Sequence, residues 1–338
     1  MRVFVAVDME GTSGLERLEE IFRGLPGYEQ FRGLMAGDAN AVVRGILDAG
    51  ADEIVVSDSH GYMCNIRPDD LVPGVTLKRG NLRRRYCQMK GADANFDLAM
   101  FVGFHAKAGN SDAILSHTWI TGFRDVRVNG ASMPEPSLNA LLAGSMGIPV
   151  GMLTGDDHVI REARPVLGDI EYGQVKRSTG FSSGEHLPLD ESRHLLRETA
   201  RRAVERAREF QPVTCQLPVT VELDLSGDAI GDPALGARTD DNQRFIDQSW
   251  DDRPLSDVDL VLATHPQTSS PRPGTVSFTC DDYQSAYRLL HSVLLEIYER
   301  DIENLIDVVA NPQEYERPEL SEIIGTHSVN DRDQWAKL

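Results

Sequence analysis

Short apolar runs alternate with amphipathic stretches along the first half of the chain. The apolar run Val3–Val7 is followed by helical spacing over Tyr28–Ala49, which Gly50 closes, and then by the apolar run Ile54–Val56. A strand, a helix and a second strand in this order are typical of a βαβ unit. The pattern therefore predicts a mainly parallel sheet with helices packed on it.

The same alternation continues further along the chain. Helices are predicted over Glu135–Met146, with Gly147 closing it, and over about Ser192–Phe210. Further strands are predicted at Val75–Lys78, Leu98–Val102, Val126–Asn129, Val150–Leu153, Tyr172–Lys176, Val219–Leu223 and Thr275–Phe278. We therefore expect an α/β fold, a three-layer αβα core with a mainly parallel sheet, plus a smaller α+β second domain.

A change in composition after Gly155-Asp156-Asp157 predicts a domain boundary. We expect one domain over residues 1–155 and a second over 156–311. The second domain would carry an acidic insertion at about 225–272, because that stretch is rich in aspartate. Residues 312–338 are predicted to form a peripheral polar tail.

Charge and cysteine usage exclude several classes of protein. The 338 residues are 41% hydrophobic, enough for a core, and carry a net charge of −19, which would repel nucleic acid and anionic membranes. The 4 cysteines form no CxxC pair, as expected in a reducing compartment. No apolar leader or stretch of about 20 apolar residues is visible, so we expect a cytoplasmic protein without a membrane partner.

Polar side chains follow the apolar runs at the points where the predicted strands end. Asp8 and Glu10 follow the first strand one residue apart, so their side chains point to the same side. His60 and His105 follow later strands. The carboxyl ends of parallel strands are where open α/β sheets bind ligands, and paired carboxylates repel unless a cation or protons lie between them.

Imidazole and carboxylate together are the ligand types of catalytic zinc. The residues of these types that follow apolar runs are Asp8, Glu10, His60, His105, His117 and Glu135. With Asp8 shared, they suffice for two metal ions about 3.5 to 4 Å apart. Asp58 could orient a ligand imidazole or form an Asx-type turn, and the sequence leaves both interpretations open.

Six blocks in this order resemble the D-aminopeptidase family of dipeptide-transport operons, which are zinc-dependent peptidases. The blocks are Val7–Gly14 (VDMEGTSG), Ser57–His60 (SDSH), Gly103–Ala106 (GFHA), Leu115–Thr118 (LSHT), Glu135 with Leu138-Asn139-Ala140, and Gly155–Asp157 (GDD). The resemblance covers about residues 1–215 and resumes over 273–296. It implies an aminopeptidase that removes the N-terminal residue of short peptides, in particular D-amino-acid peptides.

The resemblance also implies which residues act. Five positions match the family's ligands to two zinc ions per subunit: Asp8, Glu10, His60, His105 and Glu135. Asp8 matches the ligand that bridges the two ions. His117 matches a residue described as a nucleophile in the family. We favour an acid–base or oxyanion-stabilising role for it, because the metal ions already activate water. Residues 1–155 would then be the metal-binding catalytic domain, and a ring-type homo-oligomer is implied, with a decamer as the candidate size.

Three further residues are weaker candidates for substrate binding, and each has an ordinary structural explanation. Asn139 would face the substrate from the helix of Glu135, or simply be solvated. Asp156 would bind a substrate ammonium group, or cap a helix. Lys176 would meet a substrate carbonyl or carboxylate, or extend along the edge of the sheet.

Two other functions fit the same ligand set. A metal-dependent amidase or phosphoesterase would use a two-metal site, although a phosphate enzyme should place more basic residues near the metal than Lys107 alone. A non-catalytic, metal-stabilised assembly protein would instead saturate the coordination of its metal ions.

Overall fold

The computed structural model describes residues 1–23, 27–80, 86–120, 123–225 and 254–310, with residues 254–257 and 298–310 described by their backbone alone. The predicted tail, 312–338, lies outside these residues, and so does the part of the predicted acidic insertion over 226–253.

A seven-stranded sheet forms the centre of the fold, with the strand order β3-β2-β1-β4-β7-β8-β9. Its strands are β1 (Arg2–Val7), β2 (Glu53–Asp58), β3 (Val75–Lys78), β4 (Leu98–Phe104), β7 (Val150–Asp156), β8 (Glu171–Gly180) and β9 (Ser183–His186). The pairs from β3 through β8 are parallel, and β9 returns antiparallel on β8. The α/β prediction with a mainly parallel sheet is therefore confirmed.

In the described part of the chain, five helices accompany this sheet, and four of them pack together in two pairs. They are α1 (Leu18–Ile21), α2 (Tyr28–Asp48), α3 (Glu135–Ser145), α4 (Asp157–Leu167) and α5 (Leu189–Glu205). The helix α2 packs against α5 and α3 packs against α4. Every residue of β4 and β7 is buried, as expected for central parallel strands covered on both faces.

A second sheet is antiparallel and has the order β11-β10-β5-β6. Its strands are β5 (Asp125–Val128), β6 (Ala131–Ser132), β10 (Val219–Asp224) and β11 (Thr275–Cys280). Burial alternates along β10, so this sheet buries only one face. The predicted strand Val126–Asn129 exists, but it pairs with β10 of this sheet. The domain division near residue 155 falls at the end of β7 and stays a prediction.

Two more helices are α6 (Pro254–Thr264) and α7 (Tyr283–Ala310). Residues 1–292 form one compact unit and residues 293–338 form another. Among the described residues, no helix combines the length and the apolar character that crossing a membrane requires.

Candidate metal centre

The carboxyl ends of β1, β2 and β4 come together at one edge of the large sheet. The backbone N–H of Asp8 donates to Val102 O at 2.8 Å, and Gly11 N donates to Gly103 O at 2.7 Å. Gly103 has φ +71°, and a Cβ there would lie 2.5 Å from Asp8 O. A Cβ on Gly11 would lie 1.9 Å from Phe104 O, so only glycines allow the two chain segments to pack this closely.

The carboxylate of Asp8 lies between two histidines. Its Oδ1 accepts from Met9 N at 2.9 Å and lies 3.6 Å from His60 Nδ1. Its Oδ2 is buried, has no hydrogen-bond partner in the part of the chain that the structure describes, and lies 3.5 Å from His105 Nε2. A buried carboxylate oxygen with no donor is costly, and a cation would satisfy it.

His60 is held so that one ring nitrogen faces the acidic residues. Its Nε2 lies 3.1 Å from Ile21 O, which fixes the proton on that nitrogen. Its Nδ1 then points at Glu10 Oε2, 3.0 Å away. A backbone carbonyl on the outer nitrogen is the usual orienting partner of a metal-ligating histidine.

Asp58, two residues before His60, organises the loop that follows. Its carboxylate accepts from Asn65 N, Asn65 Nδ2 and Ile66 N at 2.5, 2.8 and 2.8 Å. Asn65 Nδ2 also donates to His60 O at 2.7 Å. These bonds match the turn interpretation of Asp58, because Ile21 and not Asp58 holds the imidazole.

His105 and His117 are stacked with ring centroids 4.0 Å apart and 7° between the ring planes. His105 Nδ1 lies 2.9 Å from Ala106 O, and His117 Nδ1 lies 2.8 Å from Leu115 O. In both rings Nε2 therefore faces the carboxylates. The side chain of His117 is 18% exposed, against 2% for His105. His117 is therefore the imidazole that solvent reaches most easily.

Glu135 is the first residue of α3, where the helix dipole favours a negative charge. Its Oε1 lies 3.4 Å from His105 Nε2 and accepts from Trp119 N at 2.6 Å. Its Oε2 accepts from Gln88 Nε2. One carboxylate oxygen thus faces the histidine, and a side-chain amide engages the other.

These side chains form three groups whose ligand atoms lie within 4.8 Å of one another. The groups are Asp8, Glu10 and His60; Asp8, His105 and Glu135; and Glu10, His105 and His117. All six sequence-predicted residues are therefore brought together, and Asp8 belongs to two groups. Carboxylate oxygens and imidazole nitrogens are donors that zinc accepts, and the orphaned Asp8 Oδ2 lies where a cation is needed. The residues present thus fit a metal centre.

Burial and mutual charge shift the pKa values of these groups strongly. Burial, with Glu10 adding to it, raises the pKa of Asp8 to about 8. Burial also disfavours the charged forms of Glu10 and His60, but these two groups stabilise each other's charge. His60 holds the pKa of Glu10 well below its usual value, and Glu10 raises the pKa of His60 well above its usual value. Glu135 likewise outweighs burial and raises the pKa of His105 to about 10, while His105 lowers that of Glu135.

His117 behaves differently from the other two imidazoles. Burial and the neighbouring His105 lower the pKa of His117 below the usual value for histidine. At neutral pH its ring is therefore uncharged and can accept a proton. Without metal, protons on Asp8, His60 and His105 keep the cluster close to electrically neutral.

The three weaker candidates all have their polar atoms engaged within the protein. Lys176 Nζ donates to Glu10 O, Thr12 O and Leu15 O at 2.6, 3.0 and 2.5 Å, so this buried lysine holds the loop after β1. Asp156 caps α4 by accepting from Val159 N at 2.8 Å and accepts from Ser178 Oγ at 2.8 Å.

Asn139, the third candidate, bonds to Gln88 and Tyr287. Substrate contact by any of the three stays a prediction.

Sequence reasoning missed the residues that support the ligands. Ile21 acts through its carbonyl, and no side-chain pattern can reveal this. Gln88 lies in a 3-10 turn between Cys87 and Met89, without a motif around it. Trp119 is two residues from His117, and this short distance along the chain is the one signal that could have pointed to it.

Comparison with known proteins agrees with this geometry. A model of the D-aminopeptidase family matches residues 1–236. A D-aminopeptidase of Bacillus subtilis (strain 168) is 31% identical over 214 residues, which are 63% of this chain and 77% of that protein. The solved structure of the Zn-dependent D-aminopeptidase DppA from Bacillus subtilis, a self-compartmentalizing protease, superposes with a TM-score of 0.76 at 25% identity. The superposition covers 87% of this chain and 97% of DppA. This chain therefore belongs to the D-aminopeptidase family of peptidases.

Proposed function

We propose that this protein is a zinc-dependent aminopeptidase that hydrolyses the N-terminal residue of short peptides, with D-amino-acid peptides as its substrates. The observation that carries the proposal is the pair of ligand groups that share Asp8, whose Oδ2 has no hydrogen-bond partner among the described residues. The similarity to a Zn-dependent D-aminopeptidase supports zinc as the metal and peptides as the substrate.

We further propose that the centre holds two zinc ions. Asp8, Glu10 and His60 would hold one, and Asp8, His105 and Glu135 the other. Bound zinc supplies a Lewis acid that polarises the scissile carbonyl and makes water a usable nucleophile at neutral pH.

His117 would supply the proton transfers of the reaction. Its Nδ1 is held by Leu115 O, so the lone pair of Nε2 faces Glu10 Oε1 at 3.5 Å. The lowered pKa keeps this nitrogen unprotonated at neutral pH, so it can accept a proton from water and pass it to the leaving amine. Glu10, being ionised, stabilises the imidazolium during the transfer.

Family membership favours peptide hydrolysis over the alternatives considered from the sequence. Among the described residues, the ion-pair partners of Asp8, Glu10 and Glu135 are all histidines, and no arginine or lysine pairs with these carboxylates as a phosphate enzyme would prefer. The partial exposure of His117 argues against a closed structural metal site.

Assembly is part of the same proposal. The similarity to a self-compartmentalizing protease supports a homo-oligomer, and a ring of ten subunits is the specific form we propose. Sedimentation of the purified protein would give the mass directly. A cytoplasmic location remains proposed on the cysteine pattern alone.

Metal analysis combined with activity on D- and L-aminoacyl p-nitroanilides tests the function. We expect about two zinc ions per chain and preferential cleavage of D-substrates by the wild type. His60→Ala should lose metal and activity together, whereas His117→Ala should keep the metal and lose about 10²- to 10⁴-fold in kcat. A wild-type protein that stays inert and metal-free after zinc is added would overturn the proposal.

A further inference from the structure

We propose that Gln88 is a positioning residue that fixes Glu135 as a one-oxygen metal ligand, and that Trp119, Asn139 and Tyr287 hold it in that role. The inference rests on the proposed metal centre and deepens it, because it names residues outside the ligand set on which metal affinity depends. None of these four residues is itself placed as a ligand. All act through Glu135.

The orientation of the Gln88 amide follows from its neighbours. Trp119 Nε1–H, which can only donate, lies 3.1 Å from Gln88 Oε1. The oxygen of the amide must therefore face the indole, and the NH₂ group must face Glu135 Oε2. A second donor, Asn139 Nδ2, lies 2.6 Å from the same Oε1 and makes the opposite orientation still less favourable.

The chain of hydrogen bonds continues to α7. With its Nδ2 donating to Gln88, Asn139 presents Oδ1, which accepts from Tyr287 OH at 2.8 Å. Gln88, Asn139 and Tyr287 are buried, at 4%, 0% and 1% exposure, so water does not compete for these bonds. The ring of Trp119 also contacts the edge of Tyr287, with centroids 5.5 Å apart. Each member thus limits the rotation of the next.

The backbone of Gln88 is tied to the other side of the metal centre. Ser59 Oγ, next to His60, donates to Gln88 O at 3.0 Å. The turn that carries Gln88 begins with Tyr86 and Cys87 at φ 73° and 45°, a conformation that non-glycine residues adopt at a cost. A turn held at that cost and bonded both to Glu135 and to Ser59, the residue before His60, is well suited to set the spacing between the two ligand groups.

The consequence for Glu135 is specific. The Gln88 amide occupies Oε2, so Oε1 alone faces His105 and Asp8. A carboxylate held by an N–H donor on one oxygen stays ionised and cannot turn to present both oxygens. Loss of Gln88 would leave Oε2 without this donor and Glu135 held only at Oε1, where Trp119 N donates at 2.6 Å, and would weaken the group formed by Asp8, His105 and Glu135.

Zinc binding by full-length variants tests this inference. The dissociation constants would be measured by competition with a chromophoric chelator, together with the visible spectrum of the Co²⁺-loaded protein and the thermal unfolding of the metal-free protein. We expect Gln88→Leu, which keeps the volume and removes the donor, to bind zinc about 10- to 100-fold more weakly. Tyr287→Phe removes one distant hydroxyl and should weaken binding about fivefold.

Tyr283→Phe is a matched control. Tyr283 lies one turn before Tyr287 on α7, is also buried, and donates its hydroxyl to Leu138 O at 3.1 Å, next to Asn139 but outside the chain of bonds to Glu135. Its loss should lower the unfolding temperature about as much as Tyr287→Phe does, while the zinc affinity and the Co²⁺ spectrum stay those of the wild type.

The outcomes separate this inference from the proposed function. Wild-type protein that binds no zinc refutes the metal centre itself. If the wild type binds zinc and Gln88→Leu and Tyr287→Phe bind it with the same affinity, the role of Gln88 is overturned and the proposed function stands. An equal loss of affinity in Tyr283→Phe and Tyr287→Phe would also overturn it, because the effect would then be a general loss of packing. If Gln88→Leu fails to fold, the two tyrosine variants decide.

Discussion

Two acidic clusters in this molecule are neutralised in opposite ways. On the small sheet, Asp224 accepts from Arg127 Nη1 and Nη2 at 2.6 and 2.9 Å and from Arg272 Nη2 at 2.9 Å. At the edge of the large sheet, the ion-pair partners of Asp8 among the described residues are imidazoles 3.5 and 3.6 Å away. Arginine cannot give up its proton, so the first cluster is permanently balanced.

Imidazoles can lose their protons, and this makes the second cluster exchangeable. When protons leave Asp8, His60 and His105, three ligands become available to a cation at the same place. The difference teaches that the choice of cation beside a carboxylate decides whether a group of acids stabilises a sheet or binds a metal. Both clusters lie in the compact unit of residues 1–292, so the comparison is made within one unit of the protein.

The largest expected effect is the loss of Asp8, the carboxylate that we propose as the shared ligand. Asp8→Asn should abolish tight zinc binding and lower kcat/KM by about 10³-fold or more, because several kcal/mol of charge stabilisation in the transition state are lost. Asp224→Asn removes a carboxylate of the other cluster and should leave both quantities unchanged. Zinc content and p-nitroanilide hydrolysis measure them. If Asp8→Asn still bound two zinc ions, the conclusion that the imidazole-paired cluster needs Asp8 to bind metal would be contradicted.

The second effect is the pH dependence of zinc affinity. The raised pKa values of Asp8, about 8, and His105, about 10, mean that zinc must displace their protons at neutral pH. Affinity should therefore rise with pH between 6 and 8, about tenfold per pH unit for each displaced proton. Calorimetry in two buffers of different ionisation enthalpy counts the protons released. An affinity that does not change over this range would show that the ligands are already deprotonated.

The smallest effect concerns acid stability. Burial opposes ionisation of Asp224, but Arg127 and Thr275 lower its pKa to about 2, below the value near 3.9 of an unfolded chain. Its contribution is therefore fully present above about pH 4 and is lost as the pH falls toward 2. At pH 7 Asp224→Asn should lower the free energy of unfolding by about 1 to 2 kcal/mol. This is the contribution of a charged hydrogen bond, reduced because Asp224 is partly exposed.

Urea unfolding of the metal-free proteins at several pH values checks this sign. The difference between wild type and Asp224→Asn should shrink steadily as the solution is acidified from pH 5 to pH 2. A difference that grew on acidification would mean that Asp224 is protonated in the folded protein.

The large sheet and the clustering of the candidate ligands could be predicted from the sequence, because both depend on local signals. Asp8, His60 and His105 come within two residues after apolar strands, and parallel strands bring their carboxyl ends together without further information. The predicted helix Tyr28–Ala49 was found at Tyr28–Asp48, since a long helical period with a closing glycine is a strong pattern.

What the sequence could not predict depends on contacts between distant residues. The strand Val126–Asn129 was correctly predicted, but its pairing with β10 joins residues about 95 positions apart, and periodicity does not choose a partner. Gln88 and Tyr287 are linked through Asn139 across almost 200 positions, so no local pattern could connect them. Lys176 was a weak candidate for substrate contact with an edge lysine as the alternative, and no local pattern could show that its amine is shared by three backbone carbonyls.

The unequal exposure of the six clustered side chains gives the pocket a direction. The side chain of Glu135 is 1% exposed and that of His117 is 18% exposed, so solvent reaches the cluster mainly on the side of His117. An alkylating reagent should therefore modify His117 before any other member of the cluster, and of the two ions that we propose, the one assigned to Glu135 should be the slower to exchange.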